Sequence, residues 1–126
     1  MTNPYLFEIR EPRGCLIRLS RIVWENKILA ASPRGHPEVA SYLDTIHVTI
    51  TTPDIIFQST QRANAELFYT FHAGRDRYTN CHLVVIVKYV PEADQQIYGY
   101  VSTVYLTRRI AQGVMIWSPP RSLPSP

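Results

Sequence analysis

At 126 residues the chain is long enough for one domain with a single hydrophobic core. Its 13 basic and 10 acidic residues leave a net charge of +3, and the cations are 11 arginines against 2 lysines. Guanidinium groups grip phosphate bidentately and stack on bases, so this balance is compatible with nucleic acid without demanding it. The two cysteines, Cys15 and Cys81, lie far apart with no ligand spacing around them, which argues against a structural zinc site. Neither a charged-then-apolar leader nor an apolar run of about 18 residues is present, so the expectation is a cytoplasmic protein with reduced thiols and no membrane segment.

In chain order, Tyr5 to Ile9 reads as an edge strand, and Gly14 turns the chain into a second short strand, Cys15 to Leu19. Ser20 is suited to cap a helix, and Val23, Trp24, Ile28 and Leu29 give a near-helical period, so a helix is predicted over Ser20 to Ala30. Ala31 to Gly35 breaks it. Pro37 and Glu38 suit a first helical turn. Val39, Leu43, Ile46 and Ile50 then fall on one helical face, which Pro53 ends.

Ile55 to Gln58 and Ala65 to His72 read as strands, and Ala73 to Asn80 as the turn into a β-branched run from Cys81 to Val90. Pro91 to Gln96 is the loop of a hairpin whose second strand is Ile97 to Leu106. Thr107 to Gly113 reads as one helical turn, and Val114 to Trp117 as a last edge strand. Four prolines between Pro119 and Pro126 cannot hold a sheet ladder. Residues 1–118 are therefore expected to be one domain and 119–126 a proline-rich tail. The expected fold class is α+β: an N-terminal β-ribbon and two helices packed on an antiparallel sheet of about four strands.

These pieces in this order look familiar: Trp24 in the first helix, Gly-His36-Pro-Glu-Val-Ala-x-Tyr-Leu, Thr-Ile-x-x-Pro53-Asp-Ile, Leu-Phe-Tyr, Leu-Val-Val-Ile-Val-Lys, Gly-Tyr-Val-Ser-Thr-Val-Tyr-Leu-Thr-Arg-Arg-Ile, and Ile-Trp117. Together they resemble the RNase-toxin-like domains of phages and bacteria in the barnase–EndoU–colicin–RelE superfamily, over roughly Ile17 to Trp117. The resemblance implies endoribonuclease chemistry without metal or cofactor, in which a ribose 2′-OH attacks the adjacent phosphorus and leaves a 2′,3′-cyclic phosphate. It also implies RNA as partner and an inhibitory antitoxin or immunity protein. One departure stands out: relatives often carry a histidine soon after the tryptophan, where this chain reads Glu25-Asn26-Lys27.

Such a reaction needs a base at the 2′-OH, an acid at the leaving 5′-oxygen, and donors around the phosphoryl oxygens. His36 opens the second helix, and an imidazole exchanges protons near neutrality. Lys88 is a charge at the end of an apolar strand, either a phosphate contact or a snorkelling edge residue. Thr103 and Tyr105 alternate onto one strand face with Val101 and offer hydroxyls. Arg108 and Arg109, at the start of the expected short helix, suit a phosphate clamp.

With these candidate catalytic residues (His36, Lys88, Thr103, Tyr105 and Arg108) go Arg109, Arg62 and Tyr69 as substrate contacts; Arg75 and Arg77 are further loop cations. Each has a bland alternative: a solvated arginine, a hydroxyl satisfying nearby backbone, or a core tyrosine for Tyr69. The acidic residues are too scattered for a metal-dependent nuclease, and no glycine-rich phosphate loop or nucleophile elbow occurs. The expectation is an RNA-cleaving toxin or phage-defence effector. The rival is an inactive member of the same fold, kept as an RNA-binding or protein-docking module.

Overall fold

A computed structural model describes residues 3–120. The expected tail begins within it as Pro119 and Pro120, which carry no regular structure, and the rest of that tail lies outside the described residues. The strands are β1 (Tyr5–Arg10), β2 (Leu16–Ser20), β3 (Ile55–Gln58), β4 (Ala65–Thr70), β5 (His82–Pro91), β6 (Ile97–Thr107) and β7 (Met115–Trp117). They form a single sheet in the order β1-β2-β6-β5-β4-β3-β7.

This corrects the expected fold class. The structure is a seven-stranded mixed sheet with short helices, in place of a ribbon and two full helices on about four antiparallel strands. The physical cause is a parallel joint. β2 pairs with β6 through Ile17↔Gly99 and Arg18↔Tyr100, which makes the N-terminal ribbon one wing of the sheet. Gly99 allows that approach: a Cβ there would lie 2.3 Å from Ile17 Cδ1 and 2.8 Å from Val87 Cγ1. At the other wing, β7 pairs with β3.

The first helix is shorter and odder than its apolar spacing suggests. After one α-turn, α1 (Arg21–Val23), the chain widens into a π-turn over Trp24–Ile28, closed by the Leu29 N–H donating to the Trp24 carbonyl at 2.9 Å. The second begins as a 3₁₀ segment, Pro37–Tyr42, and becomes α2 (Leu43–Thr51). Its apolar stripe does what its spacing implies. Val39, Ile46 and Ile50 are fully buried against Ile17, Leu19, Phe68, Leu83, Val85, Val87 and Val104 on one sheet face. No helix among the described residues is long and apolar enough to cross a membrane.

The other sheet face carries a smaller cluster: Phe57, Tyr69 and Val84, flanked by Ile55, Leu67, Ile86 and Tyr105. Residues 108–114 cross part of it on their way from β6 to β7, and form no helical turn. Ala111 packs into the cluster, and its N–H donates to Tyr69 Oη at 2.9 Å. A chain that must traverse from β6 to the β3 edge has to run extended, which overrides the helical reading of Thr107 to Gly113.

Candidate functional site

Strand β6 changes face partway along. Ile86 of β5 pairs with Thr103, but the next residue, Val87, pairs with Val101, so Ser102 is an extra residue in a β-bulge. Val101 and Val104 therefore both point into the helix-covered core, at 3% and 0% exposure, while Thr103 and Tyr105 turn to the opposite face. Simple alternation, which places Val101 with Thr103, fails at this one residue. The bulge also falls where β6 has lost its β2 neighbour, whose pairing ends at Tyr100. Around that free edge wraps the π-turn.

The result is a cavity of about 210 Å³ lined by Lys27, Arg62, Lys88, Ser102, Thr103 and Ile86, among others. Three elements converge on it: the π-turn brings Lys27, β5 brings Lys88, and the loop between β3 and β4 brings Arg62. Lys27 and Lys88 are the only lysines in the chain. None of the described residues lining the cavity is acidic. Lys27 Nζ donates to Ser102 Oγ at 3.1 Å. Partial burial, and then the nearby charges of Lys88 and Arg62, push the Lys27 ammonium below the ordinary lysine range. Cations that share a lining with no acidic residue among those described favour an anion.

Arg13 and Arg18, by contrast, are paired with acidic groups. A larger cavity of about 860 Å³ is lined by Arg10, Arg13, Glu11 and Glu66 among others. There Arg13 bridges Glu66 at 2.5 Å and buried Glu11 at 2.6 Å, so its charge is spent internally. Arg18 lies 4.2 Å from the centre of the Tyr98 ring and pairs with Glu8 at 2.8 Å. Arg75 lies over the Tyr42 ring and donates to the Ser41 carbonyl, which pins its loop to the 3₁₀ segment.

His36 precedes the 3₁₀ segment and packs its ring against Tyr105 of β6, two residues beyond Thr103 of the cavity lining. Its ring centroid is 5.6 Å from that of Tyr105, and its Nδ1 is 3.2 Å from Glu38 Oε1. A carboxylate on one ring nitrogen leaves the other free to work. Tyr105 follows Thr103 on the same face, about 7 Å further along the strand. Burial, and then Tyr69, hold the Tyr105 phenol above its usual range, so it stays a neutral donor. Gly35 fixes the approach of His36: a Cβ there would meet the Ala30 carbonyl oxygen at 2.4 Å and that of Lys27 at 2.6 Å.

The structure thus gathers Lys88, Thr103 and Arg62 in one cavity, whereas Tyr105 and His36 pack on each other outside its lining. It does not gather Tyr69, which is 2% exposed and holds the crossing segment through its hydroxyl. Arg108 and Arg109 are exposed, and the helix N-terminus expected to assist them is absent. The backbone N–H of Arg109 donates instead to Thr107 Oγ1 at 3.1 Å. Sequence reasoning misses Lys27 and Ser102 as site residues. The signal available for Lys27 is its rarity: one of two lysines, one turn after the tryptophan. Among the described residues no group of 3 or more His, Cys, Asp or Glu is gathered as a metal cluster. Compared with known proteins, the chain is matched by no family model, no curated protein and no solved structure.

Proposed function

We propose that this chain binds single-stranded RNA by its sugar–phosphate backbone and cleaves it by attack of a ribose 2′-OH on the adjacent phosphorus. The observation that carries the reading is the cavity in which both lysines and Arg62 meet with no acidic residue in its lining. A phosphodiester seated there has cationic donors from three directions and the Ser102 and Thr103 hydroxyls beneath it. His36, oriented by Glu38, is the base that removes the 2′-OH proton. As the 2′-oxygen bonds to phosphorus, the extra charge on the phosphoryl oxygens develops among Lys88, Arg62 and Thr103. The same chemistry is what the resemblance to the RNase-toxin-like domains implies, and an inhibitory partner protein belongs to that part of the proposal.

The test is incubation with a single-stranded RNA oligomer in the presence of a chelator. The reading expects products ending in 2′,3′-cyclic phosphate, none from a strand that is 2′-deoxy throughout, and a loss of at least 100-fold in His36→Ala, on the order of general-base contributions. Intact RNA after prolonged incubation would overturn cleavage. A second reading, RNA held without cleavage, is favoured by one feature: His36 does not line the cavity. That reading expects intact RNA and salt-sensitive binding.

A further inference from the structure

Resting on that reading, we infer that Lys27 is the proton donor to the leaving 5′-oxygen, acting from the π-turn side of the cavity while His36 acts as base. The backbone is committed to placing this side chain. The i to i+5 closure between Trp24 and Leu29 widens the turn and carries Lys27 over the free edge of β6. Such turns are rare and gather at functional sites. Gly35, packed too closely on the Lys27 carbonyl to accept a Cβ, holds the turn from behind. The ammonium is aimed by its hydrogen bond to Ser102 Oγ, at the bulge that shapes the cavity floor.

The other lining groups are less suited to the step. Arg62 does not release a proton under ordinary conditions. The hydroxyls of Ser102 and Thr103 are far weaker acids. Among the described residues, no hydrogen bond aims Lys88 as the one to Ser102 aims Lys27. Burial and two neighbouring cations bring Lys27 toward neutrality as a donor, the direction a general acid needs.

The step balances without a co-reactant. The 2′-OH proton passes to His36, the 2′-oxygen forms its bond to phosphorus, and the P–O5′ bond breaks. The Lys27 ammonium gives one proton to O5′ and becomes a neutral amine. The products are a 2′,3′-cyclic phosphate and a free 5′-hydroxyl, and solvent later reverses the two protonation states.

Leaving-group dependence tests this. The full chain and its Lys27→Ala and Lys27→Arg variants are assayed on a dinucleoside monophosphate, whose 5′-alkoxide needs a proton. They are then assayed on a nucleoside 3′-(4-nitrophenyl phosphate), whose leaving group does not. The expected result is a loss in kcat/KM of about 100-fold or more on the dinucleoside for both variants, and of less than about tenfold on the nitrophenyl ester. Retained nitrophenyl activity also reports that the variants are folded. Equal losses on both substrates, or recovery of dinucleoside cleavage by arginine, would overturn the donor role and leave Lys27 as a charge only. Unchanged cleavage in Lys27→Ala would overturn it while leaving the cleavage reading intact. Wild-type protein inert on both substrates would remove the cleavage reading, and the donor role with it.

Discussion

Single side chains decide where this molecule carries uncompensated charge and where it titrates. Lys88, Thr103 and Arg62 are legible as site candidates because a charge or hydroxyl in or beside an apolar strand is conspicuous. Lys27 is hidden, since a lysine on a helix is ordinary until its neighbours are known. His82 carries a separate consequence. It is 5% exposed, and its Nδ1 accepts the His72 N–H at 3.0 Å, so that nitrogen must be unprotonated. Burial, and then nearby His72, hold its imidazolium form below the ordinary histidine range. The unfolded chain therefore binds the proton more readily. Stability is complete above about pH 6.5 and falls as the pH drops through that region. Thermal unfolding midpoints measured from pH 7.5 to 5 are expected to decline on the acid side, and the decline should flatten in His82→Gln. An equal slope in that variant would assign the effect to other groups.

At the scale of elements, patterns that repeat are readable and single irregularities are not. The stripe Val39, Leu43, Ile46, Ile50 repeats, so the second helix can be found and faced correctly. The π-turn and the bulge at Ser102 each insert one residue into a regular register, and no local composition announces them. Yet these two irregularities create the cavity. The segment after β6 fails for a different reason: its short helical look gives way to a crossing that topology requires. Its anchor is testable. Tyr69→Phe leaves the Ala111 N–H without its partner on a half-buried segment, at a cost of about 1 kcal/mol. The expected signs are a lower urea midpoint at unchanged slope and faster exchange of the Ala111 amide. Exchange at Ala111 as slow as in the parent would show that the crossing is held by packing alone.

Over the whole molecule, what cannot be read from sequence is the joining of distant strands. Antiparallel neighbours linked by short turns, β3 to β4 and β5 to β6, follow from sequence order. The parallel joint of Ile17 with Gly99 spans most of the chain, and only the close packing at Gly99 hints at it. That joint matters for the site. Because β2 leaves β6 after Tyr100, the later half of β6 has a free edge, and the π-turn and His36 settle against it. The fold thus yields a sheet with charges balanced at Arg18 and unbalanced around Lys27 and Lys88.

In the proposed mode of binding the two lysines meet at one backbone phosphate. Having only two lysines makes it directly observable, through their side-chain CεH₂ signals in NMR spectra. An uncleavable 2′-O-methyl RNA oligomer would be titrated in chelator. The Lys27 and Lys88 signals are expected to shift together along one binding curve. Arg62→Ala is expected to weaken binding and to lower its salt dependence by about 0.7 in log K per log salt for each phosphate that residue 62 no longer neutralises. Two lysine signals that stay still while RNA binds elsewhere, or that follow different curves, would contradict it.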